Sequence, residues 1–238
     1  MIEKSWADLS SADFTERWYN EVYSKITYSV LTCKIQSWMH GSLEKKIKST
    51  DYMEKVLELG GNKGEHIDYI KHKYKSYLLT DSKNRLELSE LERFQKRQVD
   101  FKVMAAEELS IETESIDRLI VTCLLHHLIE PEKALFEMKR VVKIGGQLDI
   151  FLSGDPGFLF RLARRIGPES WARKHGLLEV KKLIDARDHR NHIGALQKQI
   201  RHVFREDEII EKSYPINNLG WNFILWKTFR IKKRNSQL

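Results

Sequence analysis

A glycine-rich loop near residue 60 is the first feature of the sequence that suggests chemistry. Gly60, Gly61 and Gly64 follow the apolar run 56–59, which predicts a buried strand. Glycine lets the backbone adopt positive φ and approach a ligand closely. The next residues, 65–73, predict a helix whose first N–H groups are available to a ligand. Alone, such a loop is a weak signal, because dinucleotide-binding folds use a related one.

Two carboxylates flank this loop. Glu58 lies before it, and we expect this side chain to face an amino-bearing or positively charged group, or to orient the loop. Asp81 lies about 20 residues beyond the loop, where an acid hydrogen-bonds ribose hydroxyls. The pair matches a nucleoside that carries an amino-acid tail, and S-adenosylmethionine is such a molecule.

Histidines are the candidates for proton removal from an acceptor, because their pKa lies near neutral pH. His126 and His127 follow the predicted strand 116–124, and adjacent residues of an extended chain point in opposite directions. We therefore expect one of them to line a cleft and the other to pack. The alternative is that both are structural or only shape the cleft.

The segment DARDHRNH adds a second group of candidates. In a helix, Asp185, His189 and His192 would share a face, and an acid beside a histidine raises its basicity and fixes its tautomer. A solvated, charged helix face is an equal alternative. Arg187 and Arg190 alternate with these residues and are suited to a phosphate or carboxylate.

Asp155 follows the predicted fifth strand at the edge of the cleft. There it is a candidate to accept a hydrogen bond from the substrate. Capping the following helix is the more common role for such an aspartate.

Short apolar runs alternate with amphipathic stretches through the middle of the chain. The predicted strands are 56–59, 76–80, 100–104, 116–124 and 146–152, the predicted helices are 65–73, 84–97 and 131–142, and an aromatic run at 221–231 predicts a closing strand. This alternation indicates βαβ units on a parallel sheet, with ligands at the carboxyl ends of the strands.

Residues 56–152 resemble the class I S-adenosylmethionine-dependent methyltransferases, and among them the group of the ubiquinone and menaquinone methyltransferases. The motifs are VLELGGNKG, Asp81, AAEEL from residue 105, CLLHHLIEPEKALFEMKRV and VKIGGQLDI, in family order. The resemblance implies an α/β Rossmann-like, doubly wound, mostly parallel seven-stranded sheet. We expect a helical N-terminal cap and a helical basic insertion after strand five.

The resemblance also implies that S-adenosyl-L-methionine is the cofactor. The residues carried over to its site are Glu58, Gly60, Gly61, Gly64, Asp81, Ala106, Glu107 and Cys123. Two positions depart from the family pattern. Asn62 replaces a glycine, but asparagine tolerates left-handed backbone. Ala105 replaces an aspartate that binds adenine, so adenine recognition would fall to Ala106 or Glu107.

The distribution of charge along the sequence indicates what kind of acceptor the protein binds. The formal charge is +7, with 41 Lys and Arg against 34 Asp and Glu, yet residues 158–205 alone hold twelve Lys and Arg against four Asp and Glu. The basicity is therefore local, and a generally polycationic, a disordered or a collagen-like chain is excluded. We expect a cap at 1–50, a cofactor-binding core at 51–153, a basic helical lid at 154–205 and closing strands at 206–238.

The leading hypothesis is methylation of a small anionic acceptor, such as a nucleotide-linked or lipid-linked sugar, on oxygen or nitrogen. A looser likeness of the SGDPGFLFRLARR and DARDHRNH stretches to methyltransferases of bacterial surface-polysaccharide gene clusters supports it. The alternatives are a quinone or lipid-intermediate methyltransferase and an RNA-binding methyltransferase-like protein. We expect no metal site, no membrane span and a cytoplasmic location, and the sequence leaves the oligomeric state open.

Overall fold

A computed structural model describes residue 6 and residues 11–27 and 30–235 of the chain. Within this part, seven strands form one sheet in the order β3-β2-β1-β4-β5-β7-β6. The strands are β1 (Tyr52–Leu59), β2 (Lys73–Asp81), β3 (Val99–Val103), β4 (Ile116–Thr122), β5 (Val142–Ser153), β6 (Glu208–Tyr214) and β7 (Trp226–Lys232). The first five strands are mutually parallel, and β7 runs antiparallel to both β5 and β6. The expected α/β, Rossmann-like, mostly parallel seven-stranded sheet is confirmed.

Helices cover both faces of this sheet. They are α1 (Ser11–Trp18), α2 (Ser24–Thr27), α3 (Val30–Leu43), α4 (Leu88–Arg97), α5 (Pro131–Val141), α6 (Phe158–Ile166), α7 (Pro168–Lys174), α8 (Leu178–Asp188) and α9 (Ile193–Val203), with a π-helical turn at Tyr19–Tyr23. Glycine commonly ends a helix, which predicts a break at Gly41. This prediction is wrong, because Gly41 lies inside α3. Glycine inside a helix is about 1 kcal/mol less favourable than alanine, and the tertiary packing of α3 overrides this cost.

The connection between β1 and β2 differs from the prediction. Instead of a helix over 65–73, it contains one 3₁₀ turn, Ile67–Tyr69, and Lys73 already begins β2. His66 explains the compact path, because its imidazole is fully buried and hydrogen-bonds Glu44 at 3.1 Å and His40 at 3.0 Å. These bonds hold the loop against α3.

The core lies on both faces of the central strands. Alternate residues of β1 face opposite sides, with Leu57 and Leu59 in one apolar cluster and Val56 in the other. A buried ion-pair network links the helices to the sheet: Arg118 of β4 donates to Glu44, directly after α3, at 2.5 Å and to Asp149 of β5 at 2.8 Å. The network therefore ties the turn that follows α3 to the centre of the sheet.

The N-terminal helices pack on the insertion that follows β5. Apolar residues at spacings of four predict one helical face, formed by Phe14, Trp18, Val22 and Ile26. These side chains are buried against residues of α7 and α8. Gly167 and Gly176 predict breaks in the helical insertion, and α6, α7 and α8 do end or begin around them. The side chain of Val30, also assigned to this face, lies outside the described residues.

Many cations of the basic insertion are paired within the protein. Arg164 bonds Asp185, while Lys181 binds the same carboxylate at 2.8 Å. Arg201 binds Glu211 of β6 at 2.6 Å. Part of the local excess of Lys and Arg is therefore neutralised by ion pairs within the protein. No helix of the described residues is long and apolar enough to cross a membrane.

Candidate active site

A cavity of about 300 Å³ opens at the carboxyl ends of β1, β2, β4 and β5, where the fold predicts ligand binding. Its volume is at the lower end of the range typical of small-molecule pockets. The N-terminal helices and the segment after α8 cover its other side. The lining residues are Thr15, Tyr19, Tyr23, Gln36, Met39, His40, Leu43, Gly60, Gly61, Asn62, Glu65, Asp81, Ser82, Arg85, Thr122, Cys123, Leu124, His127, Phe151, Asp188 and Arg190.

Bare backbone forms the wall of the cavity after β1. Gly60 has φ +65°, and a Cβ there would meet Leu124 Cδ1 at 2.7 Å. A Cβ on Gly61 would meet Leu79 Cδ1 at 2.0 Å. Gly64 does not line the cavity, because its Cβ position points at Ile67 and the ring of Phe94. Two of the three predicted glycines therefore border the cavity, and the third allows the loop to pack on its surroundings.

Asn62 and Asp81 hold the loop in place at the cavity. Asn62 has φ +47°, so asparagine does adopt the left-handed backbone expected of it. Its N–H donates to Asp81 Oδ2 at 3.1 Å, and the N–H of Lys83 donates to Asp81 Oδ1 at 3.2 Å. Asp81 thus stands at the end of β2 with a fixed carboxylate that borders the cavity.

Glu58 lies beneath the loop and not at the cavity. The side chain is fully buried and accepts a hydrogen bond from the hydroxyl of Tyr77 at 2.5 Å. Its Oε1 is 3.1 Å from the position that a Cβ on Gly61 would take. Burial raises the pKa of Glu58 to about 7. The expectation that Glu58 faces an amino group of the ligand is therefore wrong, whereas the alternative that it orients the loop agrees with these contacts.

The two adjacent histidines after β4 separate as expected, one packed and one at the cavity. His126 is buried: its Nδ1 donates to the carbonyl of Asn191 at 2.8 Å, and its Nε2 accepts the N–H of Ser153 at 3.1 Å. With both nitrogens occupied away from the cavity, His126 is not positioned as a base. Burial lowers its pKa to about 4.

His127 is the histidine of this pair that lines the cavity. Its Nδ1 lies 3.1 Å from the carbonyl oxygen of Asp188, which makes Nδ1 the donor and leaves the lone pair on Nε2. Burial lowers the pKa of His127 to about 4, so the imidazole is neutral at neutral pH. Cys123 precedes this turn with φ +56° and also lines the cavity, and burial raises the pKa of its thiol to about 12.

The DARDHRNH segment is not one helix. α8 ends at Asp188, and His192 is the N-cap of α9, where its Nδ1 accepts the N–H of Ala195 at 3.2 Å. His189 bonds Asp155 at 2.7 Å instead of Asp185. His192, His189 and Asp155 do not line the cavity. The expected shared helical face is therefore wrong, because the chain turns between α8 and α9 to bring its backbone against His126.

The remaining predicted residues divide between the cavity and the interior. Arg190 lines the cavity, but Arg187 lies over the ring of Phe14 at 5.1 Å from its centroid. Ala106 is buried in the apolar core, and neither it nor Glu107 borders the cavity.

Sequence reasoning missed the contribution of the N-terminal helices to the cavity. Tyr19 donates to Asp188 Oδ2 at 3.0 Å, and the guanidinium of Arg85 lies 4.7 Å from the centre of the Tyr19 ring. His40 stacks on Tyr69 with ring centres 4.9 Å apart. The period of the apolar face predicted these helices, but no local signal indicated that their other side would face the carboxyl edge of the sheet.

Comparisons with known proteins agree with this geometry. Residues 57–150 match the family model of the methyltransferase domain. No curated protein sequence matches the chain.

Solved structures share the fold at low sequence identity. An S-adenosylmethionine-dependent methyltransferase of Thermotoga maritima is 19% identical with a TM-score of 0.60, over 93% of this chain and 99% of that one. Phosphoethanolamine N-methyltransferase 2 of Haemonchus contortus, in complex with S-adenosyl-L-methionine, is 13% identical with a TM-score of 0.59, over 96% of this chain and 61% of that one. The CurJ carbon methyltransferase is 17% identical with a TM-score of 0.56, over 97% of this chain and 59% of that one.

Fold and domain match together define the class: the chain is an S-adenosylmethionine-dependent methyltransferase. Its methyltransferase domain is of class I, and S-adenosyl-L-methionine is its cofactor. Gly60, Gly61 and the fixed carboxylate of Asp81 border one cavity at the carboxyl edge of the sheet, and this arrangement fits the cofactor. The neighbours include an N-methyltransferase and a carbon methyltransferase, so the fold does not identify the methylated atom.

Proposed function

We propose that this methyltransferase transfers a methyl group to an oxygen or nitrogen of a small acceptor, and that His127 receives the proton of that group. The observation that carries the proposal is the neutral imidazole of His127 at the cavity. Its Nδ1 hydrogen-bonds the backbone carbonyl of Asp188, which leaves the lone pair on Nε2. The cofactor supplies an electrophilic methyl group. The acceptor must be aligned with that methyl group and must lose a proton.

In this proposal the carboxyl edge of the sheet holds the cofactor. Gly60 and Gly61 supply the backbone wall, and Asp81 supplies the acid that suits ribose hydroxyls. Cys123 and Leu124 border the same space from β4. The N-terminal helices close the acceptor side with Tyr19, which is held by its hydrogen bond to Asp188.

Arg190 supports an anionic group on the acceptor. It is exposed and lines the cavity, and its Nε donates to the carbonyl of Arg187 at 3.2 Å. Arg85, the other arginine of the cavity, is already engaged by Asp81 at 3.7 Å and by the Tyr19 ring. A sugar carrying a phosphate, linked to a nucleotide or a lipid, has the required charge and hydroxyl groups.

Cofactor binding is tested by calorimetry with S-adenosylhomocysteine. We expect Asp81→Asn to weaken binding roughly 10- to 150-fold, because a hydrogen bond to a charged group contributes about 1.5–3 kcal/mol. Asp68→Asn is the matched control, since Asp68 is paired with Arg93 at 3.1 Å on the outside of the loop. Equal affinities of Asp81→Asn and Asp68→Asn for S-adenosylhomocysteine would contradict the role of Asp81 in cofactor binding.

Proton removal is tested with His127→Gln, measured by mass spectrometry of a panel of sugar nucleotides after reaction. Turnover should fall about 10²- to 10⁴-fold, while the affinity for S-adenosylhomocysteine stays unchanged. His202→Gln, on the exposed side of α9, is the control. Full turnover of His127→Gln would show that alignment alone drives transfer.

The charge of the acceptor is tested by the same panel with and without its phosphates. Arg190→Gln should raise KM for phosphorylated acceptors and leave KM for the neutral sugars unchanged. Arg173→Gln is the control, because Arg173 is an exposed arginine of the insertion that does not line the cavity. Equal KM changes for charged and neutral sugars would contradict the anionic acceptor.

A further inference from the structure

α6 exposes an apolar stripe to solvent. Phe158, Leu162 and Ile166 follow one another at intervals of four residues and are 55%, 41% and 63% exposed. No residue of α6 is buried. A surface helix normally turns its apolar stripe toward the core. α6 does the opposite.

Polar contacts fix this orientation of α6. Arg164 points into the protein, where it pairs with Asp185, with Glu169 at 3.6 Å and with Asp155 at 3.8 Å. Since three carboxylates hold the arginine on the inner side, the stripe cannot rotate inward without leaving these charges unpaired.

Two aromatic residues extend the stripe. The 3₁₀ turn Trp221–Phe223 packs against α6, and its Trp221 and Phe223 are 40% and 56% exposed. The backbones touch at the start of the helix, because a Cβ on Gly157 would lie 2.4 Å from the carbonyl oxygen of Trp221. We call these five side chains, Phe158, Leu162, Ile166, Trp221 and Phe223, the docking face.

The charges bordering the docking face are positive. Arg161 and Arg165 of α6 are exposed, and neither makes an ion pair within the described part of the chain. Residues 215–223, PINNLGWNF, carry no charged side chain. The face therefore combines leucine, isoleucine, phenylalanine and tryptophan with arginine, and α6 itself contains no acid.

We propose that the docking face binds the surface of a membrane that contains anionic lipids. Leucine, phenylalanine and tryptophan on one side with arginine beside them are the composition of a helix that lies in the headgroup region. The apolar side chains would enter the boundary of the acyl chains, while Arg161 and Arg165 would meet lipid phosphates. A second copy of the chain is a poorer occupant, because symmetric pairing of this face brings the arginines of both copies into one interface.

Sedimentation of the full chain with vesicles tests this proposal. We expect binding to phosphatidylcholine vesicles that contain phosphatidylglycerol, weaker binding to phosphatidylcholine alone, and loss of the difference at high salt. Leu162→Gln with Ile166→Gln should weaken binding by about tenfold or more, because each removes an apolar side chain from the boundary. Arg161→Gln with Arg165→Gln should weaken binding only to the anionic vesicles, about fivefold per arginine.

Leu88→Gln is the matched control, since Leu88 is 79% exposed at the start of α4. Affinity for S-adenosylhomocysteine verifies that each variant is folded. Vesicle binding that is absent, or that survives both double substitutions, overturns the proposal. Concentration-dependent dimerisation that Leu162→Gln with Ile166→Gln abolishes, without vesicle binding, assigns the face to a second copy instead.

Discussion

The tightest steric constraint at the cavity is Gly61, and Gly61→Ala tests whether the bare loop backbone matters. A Cβ there would lie 2.0 Å from Leu79 Cδ1 and 3.1 Å from Glu58 Oε1. Non-bonded carbons prefer about 3.5–4.0 Å, so the contact with Leu79 must open by roughly 1.5–2 Å. Leu79 and Glu58 are both fully buried, which leaves the loop as the part that moves.

The loop cannot move freely either. Gly61 N–H donates to the carbonyl of Thr80 at 3.1 Å, and this bond anchors the loop to β2. Overpacking of this kind costs about 1–3 kcal/mol. If the displaced loop enters the cavity, the same free energy weakens cofactor binding by roughly 5- to 150-fold.

Calorimetry with S-adenosylhomocysteine and urea unfolding measure the two parts of this cost. Gly220→Ala is the matched control, because no atom lies within 4 Å of the position its Cβ would take. We expect Gly61→Ala to lose affinity and Gly220→Ala to keep it. Gly61→Ala with wild-type affinity and stability would refute the steric argument.

Two further predictions concern buried charge. Glu58 has a pKa near 7 through burial, above the ordinary 4.5, so its contribution to stability is present at low pH and is lost as pH rises through 7. Relative to Glu58→Gln, the wild type should lose about 1.4 kcal/mol of unfolding free energy per pH unit between pH 4.5 and about 7. If wild type and Glu58→Gln show the same pH dependence in urea unfolding, the burial argument is contradicted. Arg118→Met leaves the buried carboxylates of Glu44 and Asp149 without their shared guanidinium and should cost about 3–5 kcal/mol, against less than about 1 kcal/mol for the exposed Arg97→Met; equal losses in urea unfolding would contradict it.

Local sequence signals predicted the sheet well. Period and turn residues identified the first five strands, because each is a short apolar run bounded by polar or glycine residues. The predicted helix 65–73 failed for a tertiary reason. The amphipathic period there was real, but His66 makes a buried contact with His40 of α3, and no helix fits the path that remains.

The candidate site was predicted in part. Gly60, Gly61, Asp81 and Cys123 border the cavity, as the motifs indicated. The histidine assignments were less successful. His126 and His127 have the same type and adjacent positions, so only the turn after β4 decides which of them faces the cavity.

The sequence by itself determined the class of this protein. Its loop glycines, the acid after the second strand and the order of the motifs are local features, and each depends on backbone geometry within a few residues. Only the tertiary structure decided the acceptor side, because the cavity is closed by Tyr19 and by Arg190, which are distant in sequence. The same division holds for charge. The local excess of cations is visible in the sequence, but the tertiary structure decides which arginines are paired, because the acids that pair with them lie on other elements.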